Sequence, residues 1–205
     1  MERGQVGSKI SPEKRRIKMK VIPGADSEPR LLAINDIFHG GKPVDGFVHV
    51  VAYGYRFIRN PVARIRLIHQ DNLETLKAFR AYQLEEERRD LKRTCEFVRQ
   101  SIKKHRTPRW MLVAATKADL YPDEIKEAES YYSPDGNSEF VELLRAFTGQ
   151  VGSDNFRWAA LPVCTHLTKF EWNTDTVKSA VEQAQRDAML LNFGEALYNY
   201  SSSND

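Results

Sequence analysis

Only two cysteines occur in the 205 residues, Cys95 in a helical stretch and Cys164 at a strand end. That excludes a disulfide framework and any cysteine-rich metal spacing, and it points to a reducing, cytoplasmic setting. Long apolar runs are missing too. The longest is about seven residues, against the roughly 18 a membrane span needs, so no membrane partner is expected. The N-terminus carries Arg3, Lys9, Lys14, Arg15 and Arg16 but no apolar centre of the kind a secretory signal has. A strong excess of either charge is missing as well, with a net +3. The basic clusters at 14–20, 88–93 and 103–109 have no aromatic residues interleaved, so nucleic acid is not the expected partner. Glu85, Glu86, Glu87 and Asp90 offset the middle cluster through helical charge pairs. His39, His49, His69 and His105 are scattered, and no metal site is expected from them.

What is present is ordinary globular material, 41% hydrophobic and 29% charged, enough for one α/β domain with a core. Four segments read as strands: Ile17 to Ile22, Phe47 to Ala52, Trp110 to Ala115, and Trp158 to Cys164, the last weakened by Pro162. Helical periodicity runs from Asn72, a candidate N-cap, to His105, with Leu84, Leu91, Cys95, Val98 and Ile102 on one face and Thr107-Pro108 closing it. Shorter helices are expected over Pro122 to Ser130 and Ser138 to Thr148. A last one is expected over Asp175 to Tyr200, with Val177, Val181, Ala184, Ala188 and Leu191 inward. The organisation is therefore a basic segment at 1–16, an α/β domain at 17–200 and a frayed tail at 201–205. Strand and helix in alternation imply a mostly parallel, doubly wound sheet with flanking helices. Ligands in such sheets bind beyond the carboxyl ends of the strands. Three segments put glycine or polar residues there: Pro23-Gly24-Ala25-Asp26, Thr116-Lys117-Ala118-Asp119 and Cys164-Thr165-His166.

In order and spacing these three segments resemble the later part of a P-loop GTPase domain of the translation-factor-related class. The likeness covers roughly Ile17 to Ala184. Thr116-Lys117-Ala118-Asp119 matches the guanine-recognition motif Asn/Thr-Lys-x-Asp, in which an ionised aspartate accepts two parallel hydrogen bonds that adenine cannot offer. The lysine can lay its stem along the base. The resemblance implies a guanine site of Thr116, Lys117, Asp119, Cys164 and Thr165, with His166 pointing away and Pro23 and Gly24 as a phosphate-side turn. The competing reading is a strand-to-helix turn in which Asp119 caps the next helix. A Cys164–His166 catalytic pair lacks an orienting third group.

The pattern departs from the family in two places. Val21-Ile22-Pro23-Gly24 falls where Asp-Thr-Pro-Gly would sit, so the magnesium-holding aspartate is replaced by Val21, with Asp26 downstream of it. The phosphate loop is not found either: Gly4 to Ser11 has the wrong spacing and no preceding strand. In the family's order the chain begins near the second switch, as if the first strand, loop and helix were missing. The expectation is a GTPase-like domain with a weak site for GTP or GDP, no bound magnesium without a partner, no catalytic residue and no hydrolysis by itself. The alternative is a degenerate GTPase-fold interaction module that works with a partner protein through the 72–105 helix. A weaker third reading is RNA binding through the basic N-terminus. Loss of a central strand would leave the chain marginally stable, oligomeric or dependent on a partner strand.

Overall fold

The computed structural model describes residues 28–40, 44–70, 73–167, 170–172, 175–177 and 180–202. The expected strand Ile17 to Ile22, the Pro23-Gly24 turn with Val21 and Asp26, the 1–16 segment, Asn72 and residues 203–205 lie outside them. In chain order the elements are α1 (Glu28–His39), β1 (Gly46–Val51), α2 (Pro61–Gln70), α3 (Leu76–His105), β2 (Trp110–Ala115), α4 (Ile125–Tyr132), α5 (Glu139–Val151), β3 (Arg157–Pro162), β4 (Phe170–Trp172), β5 (Asp175–Val177) and α6 (Gln183–Ser202). Single 3-10 turns at Ala118–Leu120 and Pro122–Glu124 lead into α4.

The chain is α/β, and its described residues form a three-stranded parallel sheet in the order β1-β2-β3 with helices around it. β2 is apolar at every position because it is central, and all six of its residues are buried. The register aligns Val51, Ala115 and Pro162, so the three strands finish level and their following loops meet at one end. At the opposite end Gly46 faces Trp110, and a Cβ on Gly46 would run into the indole ring. Pro162 is tolerated because it is the last residue of an outer strand of this sheet. Met111, Val113 and Ala115 alternate onto one face, packing with Ile37 and Phe38 of α1, Leu91, Val98 and Ile102 of α3, and Phe140, Leu144 and Phe147 of α5.

A second core sits at the strands' carboxyl end. It joins Ala52, Tyr55 and Ile58 after β1, Leu67 of α2, Phe79 of α3, Leu120, Tyr121, Ala128 of α4 and Cys164. This second core carries the candidate site.

Several local expectations need correction. The N-cap of the long helix is Thr75, whose hydroxyl oxygen accepts from the Ala78 N–H at 3.1 Å, so the helix starts at Leu76 rather than near Asn72. Its apolar face is not purely apolar: Gln83, Glu87 and Ser101 are buried alongside Leu91 and Val98, while Leu84 and Cys95 are only half-buried. Glu87 is thus no surface charge pair, unlike Glu85 and Glu86, which do meet Arg88 and Arg89. The last helix begins at Gln183, because Phe170–Trp172 and Asp175–Val177 pair as an antiparallel hairpin. Aromatic and β-branched residues favour that pleat, and a 3.6-residue reading of Val177 and Val181 carries the helix too far back. The face of α6 also differs. Ala184, Ala188 and Leu191 are exposed, and Met189, Phe193, Leu197 and Tyr200 are among the half-buried positions. Tyr200 sets this rotation by placing its ring 6.1 Å from that of Trp110 and under the Arg157 guanidinium at 4.6 Å. Ser201 and Ser202, expected in the frayed tail, belong to α6.

Candidate functional site

The three loops beyond β1, β2 and β3 are stitched to one another. Thr116 ends β2 by donating both its N–H (2.8 Å) and its hydroxyl (2.7 Å) to the Val51 carbonyl. The Ala118 N–H reaches the Val163 carbonyl at 3.3 Å. Tyr121 turns back so that its hydroxyl lies 3.0 Å from the Ala115 carbonyl and 2.9 Å from that of Thr116. Burial pushes the Tyr121 phenol above its usual range, the Glu87 and Asp119 charges adding to the effect, so the hydroxyl stays a donor.

The loop after β1 is a tight turn. Tyr53 and Gly54 both take positive φ, at 47° and 80°. At Gly54 a Cβ would also come within 2.8 Å of the Arg80 carbonyl oxygen, so glycine is required. Lys117, itself at φ 61°, points its ammonium into this turn and donates to the Tyr55 carbonyl at 2.6 Å and to that of Arg56. Burial, with the Arg59 charge adding to it, brings the Lys117 pKa down to about 8. Its stem therefore crosses between the first two loops, and its charge is spent on backbone carbonyls.

Asp119 is fully buried. One carboxylate oxygen, Oδ2, is held by the Arg59 guanidinium. The other, Oδ1, has no hydrogen-bond partner among the described residues. The Cys164 thiol lies beside this carboxylate. Burial first and the Asp119 charge second raise the thiol's pKa, which keeps it protonated and unsuited to nucleophilic work. Its sulfur is 3.7 Å from the His166 backbone carbonyl, and both His166 and Thr165 are exposed. The fold thus brings Thr116, Lys117, Asp119, Cys164 and Thr165 to one end of the sheet. Asp119 does not act through its side chain as a helix cap, since no side-chain cap bond closes either 3-10 turn.

Several participants were not singled out from the sequence. Arg59 is one. Glu87 is another: its Oε1 accepts from the Ala52 N–H at 3.0 Å and the Gly54 N–H at 3.4 Å, and its Oε2 from the Tyr132 hydroxyl at 2.5 Å. Burial raises the Glu87 pKa above the usual carboxylate range, against the pull of those three donors. Arg80 backs the same turn, stacked 4.6 Å over Tyr55 and 5.1 Å over Tyr53 and paired in a fork with Glu124 at 2.9 and 2.7 Å. The spacing of Phe79, Gln83, Glu87 and Leu91 by four was the available sign that Glu87 faces inward. Nothing comparable marks Arg59.

Among the described residues, no group of three or more histidine, cysteine, aspartate or glutamate side chains is placed to hold a metal ion. None of the described helices is long and apolar enough to cross a membrane. The chain matches no family model, no curated protein and no solved structure.

Proposed function

We propose that this chain is a GTPase-like guanine-nucleotide-binding domain that keeps the base-recognising half of the site and does not turn over GTP by itself. The observation that carries the reading is Asp119, a fully buried carboxylate with one unsatisfied oxygen. It lies near the Cys164 thiol, beyond the carboxyl end of a central parallel strand. A buried carboxylate is costly unless both oxygens are used. The paired N1–H and exocyclic amine of guanine would use them, and adenine offers no such pair. On this reading Thr116 fixes the strand end, Lys117 shapes the wall, and the 164–165 backbone closes the base's far side. Phosphates and magnesium have no recognised ligands in the sequence, so base contacts alone support only weak affinity.

Calorimetry with guanosine, GDP and ADP tests the proposal. Guanosine and GDP are expected to bind and ADP to fail, with the difference abolished in Asp119→Asn. Equal or undetectable binding of all three overturns it. A magnesium-dependent release of phosphate from GTP above background would overturn the claim of no turnover.

The second reading, a GTPase-fold module that binds a protein partner, is favoured by α6. None of its described residues is buried, and Leu190 and Leu191 face solvent. Light scattering over a concentration series, comparing the native chain with Leu191→Lys, separates self-association from a monomeric state.

A further inference from the structure

The Asp119 carboxylate is not open in this structure, and the Arg59 guanidinium is paired with its Oδ2. Arg59 keeps about a quarter of its side chain in solvent, 23%, while Asp119 keeps none. Arg59 therefore covers the carboxylate from the solvent side. Its backbone is held: the Asn60 N–H donates to the Phe57 carbonyl at 2.9 Å, Arg64 donates to the Ile58 carbonyl at 2.9 Å, and Asn60 Oδ1 accepts from the Ala63 N–H at the start of α2. Lys117 fixes the preceding Tyr55 and Arg56 carbonyls. With the main chain tied on both sides, a departure of Arg59 from Asp119 is a rotation of a side chain that is already 23% exposed.

The pairing is also incomplete. A guanidinium set squarely on a carboxylate satisfies both oxygens in parallel. Here only Oδ2 is engaged and Oδ1 is left without a donor. A ligand edge carrying two adjacent N–H groups would satisfy both, so exchange of Arg59 for such an edge gains a hydrogen bond and relieves a buried acceptor.

We infer that Arg59 is an internal plug that competes with the guanine edge for the Asp119 carboxylate and must swing out before the base enters. The inference rests on the guanine-binding reading and adds its regulation. The apparent affinity of the native chain is then lowered by the fraction of time that the carboxylate is uncovered. That is about tenfold for a plug in place about nine-tenths of the time.

The test measures guanosine and adenosine binding by calorimetry to the native chain, Arg59→Gln, Arg59→Lys and Asp119→Asn. Expected is tighter guanosine binding in Arg59→Gln by about tenfold or more. Arg59→Lys should fall between it and the native chain, and Asp119→Asn should show no preference. If the native chain prefers guanosine and Arg59→Gln binds it no better, the plug is wrong and the guanine site stands. If no variant distinguishes guanosine from adenosine, both fall. Should Arg59→Gln not fold, the arginine side-chain N–H signals of the native chain give the answer. Exchange of the Arg59 guanidinium protons with solvent is expected to speed up on saturation with guanosine, and unchanged exchange overturns the plug.

Discussion

Two carboxylates are buried at the same end of the sheet, and they are treated differently. Glu87, on α3, has three donors on its two oxygens: two backbone N–H groups of the turn after β1 and the Tyr132 hydroxyl from α4. Asp119 has one cation on one oxygen, and the side chain that carries it is partly exposed. The Glu87 donors are backbone groups and a fully buried phenol, none of which can swing away. The Asp119 partner is a side chain partly in contact with solvent. A carboxylate tied by fixed donors organises the fold, here by shaping the Tyr53-Gly54 turn. One paired with a single side chain, with an acceptor to spare, fits the exchange with a ligand proposed above.

The largest expected effect comes from removing the movable partner alone. Arg59→Ala leaves a buried charge uncompensated and should cost about 3–5 kcal/mol, while Arg59→Met combined with Asp119→Leu should recover most of it. Urea denaturation of both variants measures this. An Arg59→Ala chain as stable as the native one would mean that water reaches Asp119 freely, and the contrast with Glu87 would collapse.

Next comes Tyr132→Phe, which takes the donor from Glu87 Oε2 and leaves that carboxylate half-satisfied, like Asp119. The loss should be about 1.5–3 kcal/mol, the scale of a hydrogen bond to a charged group. Thermal melts scored with the Arg59 variants would place the two carboxylates on one scale.

Smallest is Glu87→Gln, because the amide keeps an acceptor for the Ala52 and Gly54 N–H groups and can donate to the Tyr132 oxygen. A change within about 1.5 kcal/mol is expected at about neutral pH. The pH dependence is the sharper readout. The folded-state pKa of Glu87 lies above its unfolded value, so its contribution is full below the usual carboxylate range. It is lost as the pH rises through the folded value. Glu87→Gln should lack that loss, so its stability relative to the native chain should improve from acid toward neutral pH. A difference that runs the other way would mean the ionised form is the preferred one.

Elements were legible where one local pattern decided them. Six consecutive apolar residues at 110–115 fix a buried strand, and spacing by three and four over Leu91, Cys95, Val98 and Ile102 fixes the long helix. The alignment of Thr116-Lys117-Ala118-Asp119 beside Cys164-Thr165 followed from alternation of strand and helix. What stayed hidden depends on partners distant in the chain. Glu87 reads as one of several surface acids until Ala52, Gly54 and Tyr132 surround it, and Arg59 reads as one arginine among many until Asp119 meets it. The rotation of α6 was hidden for the same reason, since Tyr200 finds Trp110 and Arg157 only after the sheet has formed.

The parallel ladder around β2 also sets the order in which the chain can be completed during synthesis. β1 leaves the ribosome with its partner still unmade, because all 30 residues of α3 come between them. At about 5–20 residues per second, that interval is seconds long. β2 then waits again for β3, with α4 and α5 still to be made. Until residue 162 has emerged, the most apolar strand of the described chain lacks one of its two neighbours. A nascent chain at that stage presents the unpaired edge of an apolar strand, the kind of surface on which chains associate.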